Sequence, residues 1–184
     1  FLPPYVPRQV LDPANPYSIG AMVGPEAFTE VRWLAHHRML DAIDVIERTS
    51  RDFEAAFGRL SGGLISTYRM EDAEVVVLAM GSMLGTIKDA VDEMCEAGLK
   101  IGVLSLKCYR PFPYAAVREA LKGAKQVIVM ERMVSAGTGG ALCLDVMKAL
   151  KGLAIEQHSV IAGLGGRAVT RASLKKVFGD AFEG

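Results

Sequence analysis

The segment Glu74-Val-Val-Val-Leu-Ala-Met80 is a continuous apolar run closed by Gly81. A strand with one wet face alternates apolar and polar residues. A strand apolar at every position is covered on both faces, which happens inside a sheet sandwiched between helices. The flanking sequence supplies the other parts. Ile65–Tyr68, Ile101–Leu106, Gln126–Met130 and His158–Ala162 read as further strands. Between them, Leu84, Ile87, Val91 and Met94 mark the inner face of one helix, with Lys88, Asp89, Asp92, Glu93 and Glu96 outside and Gly98 at C′. Pro113 opens a short helix through Leu121, and Leu142, Val146 and Leu150 recur at i, i+4 and i+8 in another. Thr170 is placed to cap a last helix carrying Leu174, Val177 and Phe178. This alternation predicts an α/β fold over residues 61–184: three layers built on a mostly parallel, doubly wound sheet.

Residues 1–60 follow a different pattern. Pro3, Pro4, Pro7, Pro13 and Pro16, with Gly20 and Gly24, predict an extended arm, because proline fixes its own φ and restrains its predecessor. Pro25 and Glu26 suit a first helical turn. From there Phe28, Val31, Ala35, Met39, Ile43, Ile46, Phe53 and Phe57 recur mostly in steps of three, four or seven. An unbroken helix of this length would be roughly 50 Å long, and a break is expected near Thr49-Ser50. Gly58, Gly62 and Gly63 punctuate its end, and the domain boundary is placed there.

Charge and cysteine usage narrow the function classes. The 21 basic and 21 acidic residues cancel, so no long-range field draws the chain to nucleic acid or an anionic membrane. No apolar run approaches the roughly 20 residues needed to span a bilayer. Cys95, Cys108 and Cys143 are widely spaced and form no C-x-x-C motif, which argues against a zinc or iron–sulfur site in the chain and fits a reducing cytoplasm. Phe1-Leu-Pro-Pro has neither the basic start nor the apolar core of a signal peptide. The first residue is not Met, and the chain is read as part of a longer polypeptide.

The chemistry, if any, belongs to the loops after the strands, where open α/β sheets bind ligands. Gly81-Ser-Met-Leu-Gly85 can present N–H groups to an anion, or be a tight turn with Ser82 as helix cap. In Tyr109-Arg-Pro-Phe-Pro113, Arg110 and Phe112 have the composition of interface anchors. Arg132 with Ser135, Gly137 and Gly139 forms the best candidate anion loop, at a helix start. Gly163-Leu-Gly-Gly-Arg167 admits positive φ or close approach of another backbone, so Gly165 and Arg167 join the interface candidates. His36, His37 and His158 lack partners at metal-ligand spacing. Cys108 sits beside Lys107 and Arg110, which would lower its pKa unless the thiol is buried. No nucleophile is paired with a base in any loop.

In order along the chain, Phe57-Gly-Arg59, Tyr68-Arg69, Asp72-Ala-Glu74, Gly81-Ser82, Asp89-Ala-Val-Asp92, Tyr109-Arg-Pro-Phe-Pro113, Glu131-Arg132, Ser135-Ala-Gly137 and Gly163-Leu-Gly-Gly-Arg167 together resemble the 2-oxoacid:ferredoxin oxidoreductases, at the alpha subunit or segment of the pyruvate-type enzymes. The resemblance implies that residues 61–184 are a transketolase C-terminal-like domain and that 1–60 are the tail of a preceding thiamine-pyrophosphate-type domain. It implies coenzyme A-dependent oxidative decarboxylation of a 2-oxoacid to acyl-CoA, carbon dioxide and reduced ferredoxin. Thiamine pyrophosphate and iron–sulfur clusters then belong to the full complex, carried by other subunits or domains, with ferredoxin or flavodoxin as electron partner. No cofactor, metal or catalytic residue is expected within this chain, whose role would be architecture and subunit contact.

Two other readings stay open: a free-standing flavodoxin-like module holding an anionic ligand, and a transketolase-like enzyme with a different electron acceptor or none.

Overall fold

A computed structural model describes residues 2–16, 20 and 22–183. Phe1 and Gly184, which bound the two expected spans, and residues 17–19 and 21 of the expected arm lie outside the described residues. The chain divides into two compact units, Phe1–Ser61 and Gly62–Gly184.

In the first unit, helix α1 (Pro25–Phe57) is entered through Gly24 and runs 33 residues without interruption. The break expected near Thr49-Ser50 does not occur. The Ser50 hydroxyl donates to the Ser61 carbonyl at 2.8 Å, so it does not compete for the helix's own backbone. Gly58 ends the helix at φ +66°, its N–H returned to Glu54 O at 2.8 Å. Stacking of Phe53 on Phe57, with Arg59 over the Phe53 ring, closes the last turn. Of the apolar positions that betrayed the helix, Phe28, Met39 and Phe57 are at least half exposed, while Ile43, Ile46 and Phe53 are half-buried.

The second unit holds five strands: β1 (Ile65–Tyr68), β2 (Val75–Ala79), β3 (Ile101–Leu106), β4 (Gln126–Glu131) and β5 (Glu156–Ile161). Their order is β1-β3-β2-β4-β5, all parallel except β1, which runs antiparallel to β3. Helices α2 (Leu84–Glu96), α3 (Tyr114–Leu121), α4 (Ala141–Leu150) and α5 (Arg171–Glu183) connect and cover them. On one face Val75, Val77 and Ala79 of β2 pack with Ile87 and Val91 of α2 and Leu174 and Phe178 of α5. On the other, Val76 and Leu78 pack with Val117 and Leu121 of α3 and Leu142 and Val146 of α4. Both sets are buried, as the unbroken apolar run required.

Helix ends largely follow the sequence signals. Gly98 at φ +90° closes α2 in a Schellman arrangement, with Leu99 N–H on Met94 O at 3.1 Å and Gly98 N–H on Cys95 O at 2.9 Å. Thr170 and Ser173 cap α5 reciprocally, Ser173 N–H on Thr170 Oγ1 at 3.2 Å and Thr170 N–H on Ser173 Oγ at 3.1 Å. Ser82 is not a helix cap. Gly81–Met83 forms a 3-10 turn ahead of α2, and no side chain caps either segment. Strand β5 begins at Glu156, before the expected His158, because its register is set by pairing with β4.

Polar ties fasten the layers at their rims. Asp92 on α2 accepts from the Tyr68 hydroxyl at 2.9 Å and from Arg69, joining α2 to the β1 edge. The Tyr68 hydroxyl bond holds the Asp92 carboxyl below its ordinary range, Arg69 adding to the effect and partial burial opposing it. Glu93 is lowered chiefly by its bond to Lys175 of α5, with Arg171 assisting against partial burial. Gly102 on β3 has no room for a side chain, because a Cβ would overlap the Arg69 carbonyl oxygen.

Truncating Phe178, which is fully buried, to alanine should cost about 3–5 kcal/mol in equilibrium denaturation. Carboxyls lowered on folding contribute stability that is fully present above their ordinary range and lost as pH falls through their folded values. Denaturation midpoints should therefore drop below about pH 4, and Asp92→Asn should flatten that drop while lowering the plateau at neutral pH.

Candidate functional site

The chain leaves β2 toward β3 on one side, and β4 lies on the other, so the sheet's topological switch point falls at the carboxyl ends of β2 and β4. A cleft of about 230 Å³ opens there, lined by Met80, Tyr109, Glu131, Arg132, Met133 and Leu142. In an open α/β sheet this is the default ligand position, and a helix N-terminus beside it would ordinarily offer free N–H groups.

Here that N-terminus is already closed. Glu131, the last residue of β4 and only 5% exposed, accepts from Leu142 N–H at 3.0 Å and Cys143 N–H at 3.1 Å. These are the N2 and N3 donors of α4, which has no cap of its own at Gly140. A carboxylate at that end also meets the positive pole of the helix dipole. Gly140 is required by the same contact, since a Cβ there would overlap the Glu131 carboxylate.

The anion-loop candidates do not form an open cradle. Ser135 N–H bonds Gly139 O at 2.8 Å, and Thr138 and Gly139 N–H bond Ser135 O at 3.0 and 2.9 Å, so the loop closes on itself around Gly137. Arg132 reaches the next loop and donates to Gly163 O at 3.3 Å. Ser135, Gly137 and Arg132 remain exposed at the sheet edge, and Gly139 is half-buried.

The interface candidates separate. Arg110 donates to Asp145 Oδ2 on α4 and to Tyr109 O, both at 2.8 Å, and lies over the Tyr109 ring, so its carboxylate partner is inside the same unit. Phe112 is no surface anchor. At 4% exposure it belongs to the core between the sheet and α3, held there by the loop that Pro111 and Pro113 stiffen. Gly165 and Arg167 are exposed on the loop after β5, where Gly163, Gly165 and Gly166 all take positive φ.

The cysteines are committed to structure. Cys108 donates to Pro111 O at 3.3 Å, and burial pushes its thiol up, against a smaller opposite effect from the Arg110 backbone. The neighbouring cations therefore do not activate it. Cys95 donates to Ile101 O, and Gln157 donates to the Cys143 carbonyl. Among the described residues no three His, Cys, Asp or Glu side chains gather as a metal would require. Neither a cluster nor a cofactor pyrophosphate fits these donors: the Cys95 and Cys108 thiols bond carbonyls, Cys143 Sγ accepts from Gln157, and the N2 and N3 amides of α4 are already bonded.

Sequence reasoning passed over Glu131 as a cap because the residues it serves lie eleven and twelve positions away. No local pattern marks such a bond. Asp145 and Asp92, the partners of Arg110 and Tyr68, were hidden for the same reason.

A mostly parallel sheet between two helix layers, with one antiparallel edge strand, makes the second unit a three-layer, doubly wound α/β domain. The family described as "Pyruvate:ferredoxin oxidoreductase core domain II" matches residues 73–174, and the chain belongs to that family of 2-oxoacid:ferredoxin oxidoreductases. The pyruvate synthase subunit PorA of Methanosarcina barkeri is 41% identical over 180 residues, covering 96% of this chain and 45% of that protein. The chain thus spans about half the length of the curated relatives it matches. A 2-oxoglutarate:ferredoxin oxidoreductase from Magnetococcus marinus, solved with 2-oxoglutarate, coenzyme A and succinyl-CoA bound, superimposes with a TM-score of 0.50 at 21% identity, over 70% of this chain and 21% of that one. A split-gene transketolase, solved as an inactive beta4 tetramer, gives a TM-score of 0.51 at 17% identity over 68% of this chain and 43% of that one. These two show the fold.

Replacing Glu131 with alanine strands two buried N–H groups and should destabilise the domain by about 2–5 kcal/mol. Glu131→Gln, which keeps one acceptor oxygen, should lose less. Gly140→Ala should be as damaging as Glu131→Ala, and the two should be strongly non-additive in denaturation.

Proposed function

We infer that this chain works as part of a pyruvate-type 2-oxoacid:ferredoxin oxidoreductase, which converts a 2-oxoacid and coenzyme A to acyl-CoA and carbon dioxide and passes the electrons to ferredoxin or flavodoxin. Its 62–184 unit serves architecture and subunit contact. Thiamine pyrophosphate and the iron–sulfur clusters are held by other domains or subunits of a cytoplasmic complex. Residues 1–60 are the tail of the thiamine-binding domain, and the uncovered apolar side of α1 is what such a tail would bury there. No helix among the described residues is long and apolar enough to cross a membrane.

The observation that carries this reading is the closed N-terminus of α4. Where an open α/β sheet usually holds its ligand, Glu131 is hydrogen-bonded to the helix. Around it Met133 and Val134 are about half exposed, and Arg110 stands at the same edge. Exposed apolar side chains beside arginine are interface chemistry, since arginine and methionine are enriched where subunits meet. Family membership and the 41% identity to a pyruvate synthase subunit support the choice of reaction and of pyruvate.

The full-length subunit, assembled with its partner subunits, should reduce ferredoxin only when both pyruvate and coenzyme A are present. The double variant Met133→Asp/Val134→Asp should weaken assembly about tenfold or more in analytical ultracentrifugation, while complexes that do form keep their turnover. Unchanged assembly with lost turnover would place this edge in the chemistry. An assembled complex indifferent to 2-oxoacid and coenzyme A would overturn the assignment itself.

A further inference from the structure

A second, larger cavity lies at the far end of the carboxyl edge. It is a half-open pocket of about 560 Å³ between the end of β5, the loop after it and the first turns of α5. Its walls are aliphatic, drawn from Val160, Ile161, Leu164, Val169, Leu174 and Val177, and Arg167 lines it as well. Volume and lining are those of a small-molecule site, an apolar pocket with a single charged group to fix orientation.

Arg167 is distinguished by what it lacks. In the same unit Arg69 pairs with Asp92, Arg110 with Asp145 and Arg171 with Glu93, while Arg118 and Arg132 donate to backbone carbonyls. Among the described residues no acceptor is recorded for the Arg167 guanidinium. The other polar side chain of the lining, Ser173, is spent on the Thr170 cap. The rim is also fixed in place. Gly163 takes φ +79°, where a Cβ would crowd Arg132 and Val169, and Arg167 N–H bonds Leu164 O at 3.1 Å. One free planar fork beside an aliphatic chamber matches one carboxylate with an apolar tail. A phosphate dianion would call for more donors than the single guanidinium provides.

We propose that this cavity is a binding site for an amphipathic monocarboxylate of about six carbons, its carboxylate on Arg167 and its branched tail among Val160, Val169 and Val177. The site is separate from the switch-point cleft and does not depend on the oxidoreductase assignment, which turnover tests independently.

Isothermal titration of the assembled enzyme with 4-methylpentanoate and with 4-methylpentan-1-ol tests it. The acid should bind saturably and about tenfold more tightly than the alcohol. Arg167→Gln should erase that difference by weakening the acid alone, and Ala168→Phe, which fills the cavity from its exposed edge, should abolish binding of both. Arg167 and Ala168 are exposed, and an unchanged melting temperature confirms that the variants fold. Equal affinity for acid and alcohol, an Arg167→Gln variant that binds the acid as before, or no saturation at 10 mM (about 2.7 kcal/mol) would overturn the proposal. So would binding by the free full-length subunit that disappears in the complex, for the cavity would then be a socket for a partner's side chain.

Discussion

Burial of β2 on both faces is the constraint from which the second unit follows. Val75 through Ala79 are at most 3% exposed, and no residue in the strand can turn a polar side chain to water. Burying five consecutive apolar residues demands a helix layer above and another below. It also demands a paired strand on each edge, because an unpaired backbone N–H or C=O there would be costly. β3 and β4 supply the pairing, α2 and α5 one layer, α3 and α4 the other. Parallel strands need a crossover each, so the order β3-β2-β4 places a switch point beside the central strand.

What occupies the switch point gives the domain its character. The fold brings a helix N-terminus to the carboxyl edge, and in many α/β proteins that pole is left open for a ligand. Here a buried carboxylate from the adjacent strand end takes it, and a glycine clears the space that the carboxylate needs. The free energy of that pole is spent on folding. What remains at the edge is an apolar and cationic surface and, farther along, a half-open aliphatic pocket that Arg167 lines. The first amides of α4 and the Cys95 and Cys108 thiols are already engaged within the unit.

The sequence was legible where physics is local. The apolar run at 74–80, the helical spacing of Leu142, Val146 and Leu150, and the Gly98 and Thr170 caps all depend on residues within a turn or a strand of one another, and each is where the pattern put it. It was misleading where a local cue met a distant partner. Ser50 looked like a helix breaker, but its hydroxyl bonds Ser61. Phe112 looked like a surface anchor, but the loop carries it into the core. The switch-point carboxylate left no local trace, because Glu131 and the amides it caps are brought together only by the crossover from β4 to α4.

By itself, then, the sequence determined the class of fold, the order of its elements and, through the ordered series of loop motifs, the family. Those rest on apolar periodicity and backbone-limited residues, which act over a few positions. Tertiary structure alone decided which charges are engaged: Glu131 on α4, Arg110 on Asp145 and Asp92 on Tyr68. A charge is neutralised by whatever group the fold brings within hydrogen-bonding reach. Here those groups come from residues as far as 82 positions apart.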